Sequence, residues 1–341
     1  MKLSYRFVTV RLGSPFRISR STVEETTVIE IAIEAAGEVG YGEAAPQAHY
    51  KESVESASAF LDEAEKLLGD DPFALEEIGQ RLSLISGEMA AKSGIDSALH
   101  DLCGKLAGIP VWRLLGNGRL GPPTSWTIWL GDPDDMGRRA LQASESFRRL
   151  KLKLGGRDGL DIERVRAVRR VTDLPLMVDV NEYWTLEEAL DSIPQLVSLG
   201  VEYVEQPLRA GDPGGMELKA RSPLPIYLDE DCHTLGDVAL CAEMSHGINI
   251  KLSKSGGIRE ACRMAYAARA LGLGVMLGCM VETGLGIAAG CQVAPLCDYV
   301  DLDGNLLLAN DPWEGVRFVN GTQEPSEMVG LGVSRASRVV E

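Results

Sequence analysis

Along the 341-residue chain the spacing of apolar positions changes character between one region and the next. Residues 28–34 are apolar with interspersed acids and run into Gly37 and Gly40, which predicts a hairpin strand. Over 53–68, and again over 87–106 ahead of Gly108-Ile109-Pro110, the spacing becomes helical and then stops. This opening stretch reads as a small α+β unit. Beyond it, short apolar runs recur near 124–130, 150–154, 175–179, 201–205, 225–229, 247–251, 274–278 and 298–302, with helical stretches such as 161–171, 186–199 and 257–271 between them. Strand and helix alternating at intervals of roughly 22 to 26 residues signal successive βα units. Eight such units close a (β/α)8 barrel. The expected organisation is α/β: a capping domain over 1–112, a TIM-like barrel over 113–315, and a tail over 316–341 that returns to the cap.

Reactive groups in such a barrel sit at the carboxyl ends of the strands. Reading only those ends gives Lys151 and Lys153 on the second strand, Asp179 on the third, Glu205 on the fourth and Asp229 on the fifth. Lys251 ends the sixth strand, and Asp301 and Asp303 the eighth. Any one of these acids alone reads equally as a helix N-cap or a solvated strand end. Together they form a ring around one mouth. Asp179, Glu205 and Asp229, from three neighbouring strands, offer three hard oxygen ligands, a set that suits Mg²⁺. Zinc is disfavoured because no His or Cys ends these strands. Lys153 and Lys251 lie four strands apart and therefore face each other, so one can take a proton from a central carbon while the other delivers one to its opposite face. Lys151 and Lys153 point the same way. Their repulsion, with a metal nearby, is expected to lower the basicity of Lys153 toward that of a useful base. Lys254 lies outside this parity and reads as a surface lysine or a carboxylate's partner.

Composition narrows the classes. A net charge of −16 excludes a nucleic-acid surface, which needs clustered cations. Apolar content of 45% with 25% charged residues is that of an ordinary globular chain. The amino terminus lacks the apolar core of a signal peptide, and no run is long enough to span a membrane. The seven cysteines lack CxxC spacing and read as reduced thiols of a cytoplasmic protein.

The motifs Lys151-Leu152-Lys153, Asp179-Val180-Asn181, Glu205-Gln206-Pro207, Asp229-Glu230 and Asn249-Ile250-Lys251-Leu252 occur in order. The series resembles that of the muconate-lactonizing subgroup of the enolase superfamily, and the resemblance covers nearly the whole chain. It implies Lys153 and Lys251 as the acid/base pair, and Asp179, Glu205 and Asp229 as ligands of Mg²⁺, which stabilises the enediolate formed when a proton leaves the carbon next to a carboxylate. Asn181, Glu230 and Glu282 are read as supporting residues. A homo-oligomer is a further expectation from the resemblance.

The subgroup includes cycloisomerases, o-succinylbenzoate synthases, N-acylamino acid racemases and dipeptide epimerases. Asp301-Leu302-Asp303 favours the last, because two carboxylates on one strand face can hold a primary ammonium, as dipeptide epimerases hold their substrate's free amino terminus. Residues 13–20 resemble the mobile capping loop. Arg20, with Arg17 as the alternative, falls where Ala-Glu epimerases place an arginine for the glutamate side chain. Thr127 resembles a substrate-contacting position, and Lys151 is counted with the substrate-binding groups. Asp231 and Cys279 depart from the family's usual residues, and Trp126 and Trp129 are expected to narrow the pocket. The four histidines (49, 100, 233, 246) lie outside the seventh strand, which argues against a mandelate-type racemase, and they read as surface or structural.

Overall fold

A computed structural model describes residues 1–337; the last residues of the expected tail, 338–341, lie outside the described residues. The chain opens with an antiparallel sheet, β1 (Lys2–Arg17), β2 (Thr22–Ala35) and β3 (Glu38–Ala44), in that order. Ile29, Ile31 and Ile33 share one face of β2 and are fully buried, facing the helices α1 (Val54–Ala64), α2 (Leu75–Ser83) and α3 (Met89–Ala107). Ser53 and Ser56 cap the start of α1 reciprocally, and Gly108, at φ 70°, ends α3. The sheet and α3 approach so closely that a Cβ on Gly42 would lie 2.0 Å from the Gly94 carbonyl oxygen.

Residues 13–20, expected as a loop, are mostly strand. β1 continues to Arg17, with Phe16 paired to Val23 and Arg17 to Thr22, so only 18–21 turn. The register shifts between Arg11 and Phe16, across Gly13-Ser14-Pro15, where the proline has no N–H for the ladder. This hairpin reaches over the second domain: Leu130 N–H donates to Arg17 O at 2.9 Å and Ala309 N–H to Arg11 O at 2.8 Å.

The second domain is a ring of eight parallel strands in chain order. They are β4 (Trp126–Ile128), β5 (Leu150–Lys153), β6 (Leu176–Asp179), β7 (Val201–Glu205), β8 (Ile226–Leu228), β9 (Gly247–Lys251), β10 (Gly274–Gly278) and β11 (Tyr299–Asp301). Ser125 N–H to Val300 O at 2.9 Å joins the first strand to the last. The (β/α)8 architecture and cap expected from periodicity are therefore present. The tail packs a hairpin, Arg317–Val319 with Thr322–Glu324, beside Phe147 and Thr124 of the barrel. It then crosses to the cap, where Leu331 N–H donates to Asp101 of α3 at 2.7 Å. Among the described residues no helix is long and apolar enough to cross a membrane.

Candidate active site

Period-two alternation sorts the inward residues into two layers. Lys153, Asp179, Glu205, Lys251 and Asp301 close their strands, and Asp229 follows β8 directly. Two residues earlier on each strand stand Lys151, Met177, Tyr203, Tyr227, Asn249 and Tyr299. Met177, Tyr203, Tyr227 and Met276 pack together with Tyr299 as an apolar floor, and the Tyr203 hydroxyl donates to Met276 Sδ at 3.1 Å. The charged layer above it is thus cut off from water on its lower side, where electrostatic interactions are strong.

Each lysine of the ring is held by acid. Lys151, 1% exposed, lies 2.8 Å from Glu205, 2.9 Å from Asp301 and 3.2 Å from Asp179. Lys153 Nζ donates to Asp179 Oδ2 at 2.6 Å, and Lys251 Nζ to Asp229 Oδ2 at 2.7 Å. The expected Lys151–Lys153 repulsion is therefore offset by Asp179, the carboxylate that the two share. Burial alone would weaken the Lys151 and Lys251 ammonium groups, but the neighbouring carboxylates carry both above their ordinary range. Burial opposes ionisation of Asp179 and Asp229 too, and the lysines still hold both carboxyls below theirs. Glu205 goes the other way: burial and the charge of Asp179 push it up to about 7. Lys254 is not a surface residue. It is 3% exposed and is a carboxylate's partner, 2.5 Å from Asp229 Oδ1.

Asp179, Glu205 and Asp229 are fully buried and form an all-oxygen donor set. Glu205 Oε1 accepts from Asn249 at 2.7 Å, whereas its Oε2 has Lys151 nearby but no hydrogen bond of good geometry. Buried, mutually repelling and incompletely compensated, these carboxylates fit a hard divalent cation such as Mg²⁺. Lysine ammonium groups pair with them, and the three do not gather their oxygens into a single ligand cluster. Among the described residues such a cluster forms instead from His49, Glu182 and Glu230. A cation already sits there, since Arg20 Nη1 is 2.9 Å from Glu230 and 3.6 Å from Glu182.

On the opposite side of the ring, each oxygen of Asp301 has a partner: Oδ1 accepts from Ser125 Oγ at 2.5 Å and Oδ2 from Lys151. Asp303 Oδ2 accepts the Thr127 N–H at 2.8 Å. Burial, then the charge of Asp301, pushes Asp303 up to about 7. Both acids line a cavity of about 380 Å³ together with Thr127, Lys151, Lys153 and Lys251, a volume within the range of small-molecule sites. The cap closes it with Phe16, Ile18, Arg20 and Tyr50. Cys279 also lines it, with a thiol that burial and Asp303 hold well above its usual range, and so protonated.

Several expectations change. Trp126 and Trp129 do not line the cavity. Alternation turns Thr127 inward and Trp126 outward, onto Phe147 at 4.7 Å between ring centroids, while Trp129, past the strand end, lies under the Arg139 guanidinium. Asp231 serves the loop, accepting from Gln206 and from Gly211 N–H, both at 2.7 Å. His100 and His246 bond within the fold. His49 is different: with Tyr50 it lines the cavity from the cap. The cavity-facing role of residues 47–50 depends on a contact between domains, which leaves no periodic trace in the sequence.

Residues 2–116 match the family description "Mandelate racemase / muconate lactonizing enzyme, N-terminal domain", and residues 135–338 match "Enolase C-terminal domain-like". The chain belongs to the enolase superfamily. Within it, the chain is 40% identical over 339 residues to an L-Ala-D/L-Glu epimerase of Bacteroides thetaiotaomicron, covering 98% of this chain and 88% of that protein. It is also 40% identical over 325 residues to an L-Ala-D/L-amino acid epimerase of Pedosphaera parvula, covering 92% of each. A crystal structure of a dipeptide epimerase from Enterococcus faecalis, complexed with Mg and L-Leu-L-Tyr, superimposes with a TM-score of 0.94 at 31% identity, covering 98% of this chain and 99% of that one.

Proposed function

We propose that this superfamily member is a Mg²⁺-dependent dipeptide epimerase that inverts the α-carbon of the C-terminal residue of an L-Ala-L-Glu-like dipeptide. The observation that carries the substrate class is the buried Asp301/Asp303 pair, which shares one cation, Lys151, with Glu205 and Asp179. A substrate ammonium beside Asp303 supplies the missing positive charge and satisfies its free oxygen. Cycloisomerase and o-succinylbenzoate synthase substrates carry no such amine, and an N-acylamino acid has its α-nitrogen acylated.

Held by its amine, the dipeptide extends toward Asp179, Glu205 and Asp229, the proposed ligands. These three carboxylates would hold Mg²⁺, which would supply positive charge against the substrate carboxylate as the α-proton leaves. Lys151 lies between the amine subsite and these carboxylates and orients the backbone. Thr127 fixes Asp303. Lys153 and Lys251, on opposite walls, act on opposite faces of the α-carbon: the neutral one accepts the proton and the other, as ammonium, returns one from the far side. Arg20 and Tyr50 on the cap border the side-chain end and exclude water; Arg20 is the group placed to meet an acidic side chain once it leaves Glu230.

Incubation of L-Ala-L-Glu with enzyme and Mg²⁺ in D₂O is expected to exchange and racemise only the C-terminal α-carbon, followed by NMR. Lys153→Ala and Lys251→Ala should each lose epimerisation by a factor of ~10³ or more, the scale of a missing acid–base group, with exchange surviving from only one epimer in each. The N-acetylated dipeptide should be a poor substrate, and Asp303→Asn should erase the preference for the free amine. Equal turnover of free and acetylated dipeptides would remove the ammonium subsite from the proposal.

A further inference from the structure

Asp229 is paired with two lysines, one on each oxygen, and only one of them faces the cavity. Lys251 takes Oδ2 at 2.7 Å and lines the cavity. Lys254 takes Oδ1 at 2.5 Å from a fully enclosed position. The chain reaches that position by a single helical turn, Leu252–Ser255, directly after β9, which folds Lys254 back against the neighbouring strand end. There Nζ also donates to the main-chain oxygens of Asp229 at 2.6 Å, Cys232 at 2.8 Å and Asn249 at 3.2 Å. Four acceptors surround a group with three N–H bonds, and two of them belong to Asp229. Lys254 therefore grips both the backbone and the side chain of that residue, and it has no route to a substrate.

We propose that Lys254 is the positioning residue for Asp229: it fixes the carboxylate so that one oxygen, Oδ2, is either paired with Lys251 or offered to the metal. The inference rests on the metal reading above. A carboxylate held at one oxygen only is free to turn about its Cβ–Cγ bond, keeping Lys251 on one oxygen while the other meets the metal. With Oδ1 committed to Lys254, both roles fall on Oδ2, where a divalent cation and the Lys251 ammonium repel each other and so compete. Loading the site then frees Lys251 for the α-carbon, which couples metal occupancy to release of one of the two acid/base lysines. The geometry also assigns a permanent counter-charge to Asp229, so that its burial does not depend on the cation that comes and goes.

The alternative is that Lys254 only satisfies the carbonyls of Cys232 and Asn249. The two roles differ in their dependence on Asp229. Mn²⁺ binding to the purified, substrate-free chain, read by electron paramagnetic resonance, is measured for wild type, Lys254→Met, Asp229→Asn and the double variant. Lys254→Met is expected to weaken Mn²⁺ by roughly tenfold or more in the wild-type background, the usual effect of losing a group that orients a ligand. In the Asp229→Asn background the same change should alter affinity by no more than about twofold. If Lys254→Met does not fold, the double variant, which removes both charges of the Lys254–Asp229 pair and leaves only Lys251 facing the cavity, is expected to recover a folded chain. Equal losses in both backgrounds, unchanged affinity in Lys254→Met, or a double variant that also fails to fold would each overturn the assignment. Absence of Mn²⁺ binding by wild type would overturn the metal reading along with it.

Discussion

Glu43 shows how far a single residue's environment moves its chemistry. It closes the cap sheet against the barrel and accepts from Thr283 N–H at 2.9 Å and from the Thr283 hydroxyl. Burial, then the nearby charge of Glu282, pushes its carboxyl up to about 8, while Asp311 adds a smaller push in the same direction. Because the folded-state value lies above the ordinary carboxyl range, the native chain binds more protons than the unfolded chain between about pH 4.5 and 8. Its contribution to stability is therefore fully present below that window and is lost as pH rises through it. Glu43→Gln keeps the shape and an acceptor for Thr283 N–H without an ionisable proton. Its expected effect is to flatten the loss of stability between pH 5 and 8, gaining about 1–3 kcal/mol at pH 8 once relaxation offsets part of ~1.4 kcal/mol per pKa unit. Urea titrations of both chains across that range check it; parallel pH profiles would show that Glu43 is not the titrating group.

At the scale of elements, helices and strands were the most legible features because their periods are local. The helices expected over 161–171, 186–199 and 257–271 are Asp161–Arg169, Leu186–Ser198 and Ile258–Ala270. The differences lie at the ends, where the last turns satisfy themselves by local contacts. The first-domain hairpin was less legible: β2 is twice as long as the apolar run suggested, since its polar half pairs with β1 over the barrel mouth rather than with the core. Close packing of β3 on α3 leaves a specific weakness. A methyl group at Gly42 would meet the Gly94 carbonyl at 2.0 Å, and Gly94 belongs to helix backbone that cannot step aside cheaply. Gly42→Ala is expected to destabilise the chain by about 1–3 kcal/mol or more, the cost of overpacking. Gly37→Ala provides a contrast, because there a Cβ meets open space and only the left-handed φ of 83° resists it. If thermal melts rank Gly42→Ala as the milder change, close approach is not what the glycine serves.

For the whole molecule, the cap and barrel are joined by contacts that converge on the mouth. Arg20 meets Glu230, Glu43 meets Thr283 and Leu130 meets Arg17. Mg²⁺ binding to the carboxylates between them should stabilise the folded chain by mass action, about 2.7 kcal/mol at one hundred times Kd. Chelation is accordingly expected to abolish epimerisation and to lower Tm by about 5 °C, both restored by added Mg²⁺. A Tm indifferent to chelator and metal would remove Asp179, Glu205 and Asp229 as ligands.

The sequence by itself determined the alternation of strand and helix, and with it the barrel, because each βα unit declares its own period. It also determined which residues end the strands, since a polar group closing an apolar run is a local signal, and strand parity turned those positions into a ring. Tertiary structure decided what these residues do to one another. Lys254 looked peripheral until a turn of helix folded it onto Asp229. The paired tryptophans looked like pocket walls until alternation turned one outward and the other fell past the strand end. His49, Tyr50 and Arg20 gained their places only when the cap lay over the mouth. Charge compensation, burial and contact between domains depend on distances through space, and a linear pattern of residues carries those distances only where a local period fixes them.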